Sequence, residues 1–153
     1  MAGCRTPPAG VVRAMPQGRL PAVGCGAFIL RNGQLLLIQR LRAPEAGCWG
    51  LPGGKVEPFE AVPDAVRREI QEETGLDVAP SRLLCVVDQI DPAAGEHWVA
   101  PVYQAQAPEG QQARLMEPHK HAALGWYALD ALPSPLTRAT ELAVEAFRAQ
   151  EMA

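Results

Sequence analysis

The sequence predicts an α+β fold, a mixed β-sheet covered by helices within a single domain. Three observations lead there. A chain of 153 residues can bury one sizeable core but is short for two. Its strand and helix signals run in the order β-β-α-β-β-β-α, opening on a hairpin. No βαβ unit repeats along it, so a purely parallel sheet is not indicated.

Residues 1–20 carry three prolines, three glycines and three arginines without a continuous apolar stretch. They are expected to form a loose tail rather than a signal peptide, ahead of one domain over residues 21–153. Residues 22–40 then hold two apolar runs, VGCGAFIL and QLLLIQR, separated by Arg31-Asn32-Gly33. Asn-Gly accepts positive φ at both central turn positions, which marks a β-hairpin. Residues 41–48 contain Pro44 and Gly47 without periodicity and are expected to be loop.

Residues 63–74 (PDAVRREIQEET) give the clearest helix signal. Pro63 suits a first turn, Asp64 favours the positive end of the helix dipole, and Gly75 supplies the stop. Two strands follow over residues 82–90 and 97–106, around turn material at 91–95. Pro101 inside the second suggests an edge strand or a bulge. A further strand over 123–129 precedes Leu132-Pro133-Ser134-Pro135. Residues 137–150 close the pattern as an amphipathic helix with Leu142, Ala146 and Ala149 near one face.

The net charge of −3 and pI near 5.6 argue against a nucleic-acid polymer or an anionic membrane as partner. No apolar run approaches the roughly 18 residues of a membrane span. Cys4, Cys25, Cys48 and Cys85 show no CxxC pairing. They read as reduced thiols of a cytoplasmic protein rather than a zinc site or a disulfide.

On a helix turning about 100° per residue, Glu69, Glu72 and Glu73 share an arc of about 100°. Val66 and Ile70 lie to one side and dock the helix, so the glutamates border the buried face. Like charges at these spacings repel by a few tenths of a kcal/mol each when exposed, and more when desolvated. Arg68, four residues before Glu72, offsets part of this. Such a set suits a hard divalent cation with oxygen ligands. An arbitrary EIQEE is more often a solvated acidic face. Gly53-Gly54 upstream changes that balance, because glycine lets backbone approach a ligand closely.

From Gly54 the chain reads five residues, Glu60, seven residues, then Arg68-Glu69-Ile70-Gln71-Glu72-Glu73-Thr74-Gly75-Leu76. This resembles a complete Nudix box, matching every specified position without insertion. The resemblance implies the α/β/α sandwich of that family and a hydrolase acting on a phosphoanhydride bond. It implies that Glu69, Glu72 and Glu73 bind Mg2+, with Mn2+ able to substitute, and that the Gly53 carbonyl completes the metal shell. Arg68 and Glu60, with Gly54, would hold the loop–helix geometry. One departure is Phe59, where many members have glycine.

Glu117-Pro118-His119-Lys120 followed by Trp126 resembles the EPxK…W segment of some MutT-like members. There a late glutamate binds metal or positions water, which makes Glu117 the corresponding candidate. Glu72 or Glu117 would accept the proton of the attacking water. Substrate contacts are expected from Lys55, Trp98 and His97, from the loop around Trp49, and from the first strand near Gly24 to Phe28. Trp126 is expected in the core, and His119 and His121 in a loop. The resemblance points to a (deoxy)nucleoside triphosphate, ordinary or oxidised, as substrate. ADP-ribose, a nucleotide sugar or dihydroneopterin triphosphate is the alternative. A non-catalytic nucleotide-binding module is the competing class, disfavoured because such modules typically lose box glutamates. Members are often dimers, so a homodimer is compatible with the resemblance.

Overall fold

A computed structural model describes residues 20–153. The expected tail, except for its last residue, lies outside the described residues, as does Cys4. Nine elements follow one another: β1 (Ala22–Arg31), β2 (Gln34–Arg40), β3 (Trp49–Gly50), β4 (Gly53–Lys55), α1 (Val62–Thr74), β5 (Ala79–Asp91), β6 (Glu96–Gln106), β7 (His121–Ala128) and α2 (Arg138–Glu151). The strands make one seven-stranded sheet in the order β3-β2-β1-β6-β5, with β4 also on β1 and β7 also on β2. β1 and β6 run parallel, whereas β5 and β6, and β2 and β7, run antiparallel. The sheet is therefore mixed, as the element order predicts.

The hairpin forms where Asn32 (φ 52°) and Gly33 (φ 76°) take the left-handed backbone its turn needs. Only Leu30–Leu35 and Arg31–Gln34 pair across it. Beyond them β1 pairs with β6 and β4, while β2 pairs with β7 and β3. Alternation sorts the two apolar runs onto opposite faces. Cys25, Ala27, Ile29 and Leu36 meet Ala65, Val66 and Ile70 of α1. Phe28, Leu35 and Leu37 meet Ala143 and Val144 of α2, with Phe28 and Phe147 stacked 4.9 Å apart. Both faces are buried, so these strands read as continuous apolar runs.

Three local expectations are corrected in whole or in part. Pro101 is not on an edge: β6 lies between β1 and β5. It pairs with Val86, beside an irregularity in β5 between Leu83 and Cys85, so of the two expected alternatives the bulge is the one found. The most deeply buried residues of α2 are Thr140, Ala143 and Val144; Leu142 and Ala146 pack partly buried against the same core, whereas Ala149 is exposed. Thr137 caps this helix, and the Thr140 hydroxyl accepts from the Leu51 amide. His121 opens β7 and is buried rather than lying in a loop.

Gly75 ends α1 in the left-handed conformation (φ 75°), its amide donating to the Gln71 carbonyl. Phe59 also holds a left-handed φ of 67°, with its side chain fully exposed. Glycine suits that backbone, which explains the family preference at this position. Phe59→Gly relieves a strain of about 1–2 kcal/mol against about 0.5–1 kcal/mol of extra chain entropy. Urea unfolding is expected to show no loss of stability, and a loss above about 1 kcal/mol would reveal a contact made by the ring.

Candidate active site

β4 pairs antiparallel with β1, setting Gly53 opposite Gly26 and Gly54 opposite Cys25. Neither glycine has a positive φ, so space and not conformation demands them. A Cβ on Gly53 would overlap the Cys25 carbonyl and the Gly26 Cα. One on Gly54 would overlap the Glu69 carboxylate. The turn thus presses its backbone onto β1 on one side and onto the acidic face of α1 on the other.

Arg68 ties turn, loop and helix together. Its Nε and one terminal nitrogen grip both oxygens of Glu60 at 2.7 and 2.9 Å. The same end donates to the Lys55 carbonyl at 3.0 Å. Its other nitrogen reaches Glu69 at 2.9 Å and Glu72 at 3.3 Å. Arg68, helped by the Glu57 amide, draws the Glu60 carboxyl down to about 2. Glu60 and Arg68 therefore stand where a supporting pair is expected, beneath the glutamates.

The three box glutamates differ in exposure. The Glu72 side chain is 52% exposed, that of Glu69 14% and that of Glu73 7%. Burial, and then the negative charge of Glu69, hold the Glu73 carboxyl well above the usual carboxylate range. Burial also raises that of Glu69, against the pull of Arg68. Glu73 accepts weakly from the Gly53 amide at 3.5 Å and faces His121 Nε2 at 3.9 Å. The Nδ1 of His121 is buried without a hydrogen-bond partner among the described residues.

The late loop reaches this site through its backbone. The Arg114 amide donates to the Thr74 carbonyl and the Met116 amide to the Glu73 carbonyl, at 2.8 and 3.2 Å. That docking carries Glu117 to the end of α1, where its charge is felt by Glu73. Glu117 itself pairs with Lys120 at 2.9 Å.

A cleft of about 440 Å³ opens beside the glycine turn. Gly24, Gly53, Gly54, Lys55 and Trp98 line it, so three of the expected contacts and the turn backbone meet there. His97 does not line it: neighbouring strand residues alternate faces, and His97 lies opposite Ile90 on the other side. Trp126 packs against the α1-side core beneath Arg31, as a core tryptophan should, and His119 is exposed. Two further lining residues, Glu45 and Gln89, carried no local signal in the sequence.

Among the described residues no three carboxylate, imidazole or thiol groups converge as a ready-made metal cage. Arg68 instead draws Glu69 and Glu72 toward its guanidinium while Glu73 stays under Gly53. The donor chemistry nevertheless fits a hard divalent cation. Glu73 is buried near Glu69 and Glu117, whose charges outweigh the more distant pull of Lys120, so a bound cation would relieve the repulsion among them.

A family model described as the NUDIX domain matches residues 18–149. The crystal structure of a MutT Nudix hydrolase from Burkholderia pseudomallei is 62% identical, with a TM-score of 0.77, covering 84% of this chain and 98% of that one. The CTP pyrophosphohydrolase of Escherichia coli is 32% identical over 128 residues, covering 80% of this chain and 88% of that protein. The human 8-oxo-dGDP phosphatase NUDT18 is 33% identical over 114 residues, covering 71% of this chain. The match spans only 32% of that human protein's length. Nudix hydrolases generally need divalent cations. With the signature complete, the sheet and both helices in place and the family model matched along most of its length, this chain belongs to the Nudix family.

Proposed function

We propose that the chain is a Mg2+-dependent hydrolase that cleaves a phosphoanhydride bond of a nucleoside diphosphate-linked substrate. The favoured substrate is a (deoxy)nucleoside triphosphate, ordinary or oxidised, yielding monophosphate and pyrophosphate. One observation carries this reading: Gly53 and Gly54 line the cleft and also abut Glu69 and Glu73. A phosphate chain lying in the cleft would therefore end against the acidic helix. The relatives named for CTP, 8-oxo-dGDP and 8-oxo-dGTP support the substrate class.

Glu69, Glu72 and Glu73 would hold the metal with the Gly53 carbonyl. When bound, the metal neutralises the phosphates and lowers the pKa of a bound water. Arg68, clamped by Glu60, fixes where Glu69 and Glu72 start from. Lys55, exposed at the cleft rim, is placed to meet phosphate oxygens. Water oxygen bonds to phosphorus, the bridging P–O bond breaks, and Glu72 or Glu117 takes the proton. An archaeal ADP-ribose pyrophosphatase, 42% identical over 83 residues, makes ADP-ribose the second reading.

Phosphate and pyrophosphate release should be followed over a panel of nucleoside triphosphates, diphosphates and ADP-ribose. With Mg2+, pyrophosphate is expected from a triphosphate, and none with EDTA. Inorganic phosphate alone from diphosphates would redirect the substrate assignment, and no cleavage of any member would end the hydrolase reading.

A further inference from the structure

Resting on the reading that this cleft takes a nucleotide, we infer that Glu45 and Gln89 read the base and, with Arg40, select a guanine-type edge. Residues 41–47 form an exposed loop in which Glu45 alone is half-buried. Its backbone is left-handed, φ 60°, a conformation that residues other than glycine seldom adopt. Both carboxylate oxygens are held across long stretches of chain. One accepts from Gln89 Nε2 of β5 at 2.8 Å, the other from the Arg138 amide at the start of α2 at 3.1 Å. The loop is thereby fastened over the cleft, with Arg40, Glu45 and Gln89 all on its wall.

Gln89 is the direct cross-strand partner of Trp98, so both side chains leave the sheet on the cleft side. The Trp98 indole N–H is engaged by Glu96 at 3.0 Å, which leaves the ring face for stacking on a flat ligand. A carboxylate can only accept, so the Gln89 amide must turn its nitrogen to Glu45 and its carbonyl away. Arg40 has its Nε committed to the Pro44 carbonyl and keeps further N–H groups on the guanidinium.

These three side chains bring one donor group and two acceptor groups to the wall, where Glu96 is turned to the Trp98 indole and Thr137 to Thr140. A keto oxygen followed by two N–H donors, the edge of guanine, complements that pattern. Hypoxanthine lacks the second donor, and adenine sets a ring acceptor against an acceptor. The cleft's 440 Å³ suits a base and sugar, with phosphates running toward Gly54 and Lys55.

Binding tests this without cleavage. Calorimetry on the intact chain with Mg2+ would compare the α,β-methylene triphosphates of guanosine, inosine and adenosine. Guanosine is expected to bind at least about tenfold tighter than either, as one charge-assisted hydrogen bond predicts. Glu45→Gln and Gln89→Met are expected to bring the guanosine-to-inosine ratio toward one. Equal wild-type affinity for guanosine and inosine overturns the inference even if triphosphates are cleaved. So does a Glu45→Gln variant that weakens all three alike, which would make Glu45 a loop fastener only. Cleavage of no nucleotide with a preserved guanosine preference defeats the hydrolase reading alone, and binding of none of the three defeats the inference while leaving the hydrolase reading to the cleavage panel.

Discussion

Glu73→Gln is expected to lower hydrolysis by about 10²–10⁴-fold while leaving the protein as stable as before, or more so. The activity loss follows from removing one charge from the set that would hold the metal, at the scale typical of lost electrostatic or proton-transfer groups. The stability follows from burial. A carboxylate held at 7% side-chain exposure, close to Glu69 and Glu117, is disfavoured in its charged form. Glutamine keeps the shape and can still accept from the Gly53 amide without carrying that charge. Thermal unfolding in EDTA is therefore expected to show an unchanged or higher Tm. Added Mg2+ should raise the Tm of the wild type and do so less in the variant. Full activity in Glu73→Gln would remove Glu73 from the metal site, and a fall in Tm would show that its charge is compensated in the fold. Glu72→Gln, at a half-exposed position, should lose activity with no change of Tm.

Gly53→Ala and Gly54→Ala are expected to fail in different ways. At Gly53 the new Cβ meets only backbone, the Cys25 carbonyl and the Gly26 Cα, which cannot yield without parting β4 from β1. Overpacking against rigid neighbours costs about 1–3 kcal/mol or more, so the Tm should fall by several degrees or the chain should not fold. At Gly54 the Cβ meets the Glu69 carboxylate, the end of a flexible side chain. Glu69 can swing aside, so stability should fall by no more than about 1 kcal/mol. Hydrolysis should drop by about tenfold to a hundredfold, because Glu69 leaves its place on Arg68. Equal stability loss in the two variants, or full activity in Gly54→Ala, would refute this division.

Legibility followed range. The relation of Glu69, Glu72 and Glu73 is set by helical pitch, so spacing revealed it. The Arg68–Glu60 clamp spans a short loop, and the resemblance named both partners. Phe59 was visible only as a departure, and its left-handed backbone explains why glycine is usual there. Of the two alternatives Pro101 offered, the edge failed because sheet order is not written in β6, while the irregularity expected near it is found in the partner strand β5. The inward face of α2 was legible in part: Leu142 and Ala146 do pack on the core, but Ala149 is exposed and Thr140 is buried where its hydroxyl accepts from the Leu51 amide.

By itself the sequence determined the mixed sheet with two helices, the hairpin turn at Asn32-Gly33, and three glutamates on one arc of a helix that follows a glycine turn. Those features depend on dihedral preference and periodicity, which act within a few residues. Only the tertiary structure decided that the late loop docks on α1 through Arg114 and Met116, bringing Glu117 and the buried His121 to Glu73. Only it set Glu45 against Gln89 and the start of α2, or turned Trp98 into the cleft and His97 out of it. Those placements come from strand order and backbone docking between segments far apart in the chain, where side-chain identity at one position carries no record of its neighbour.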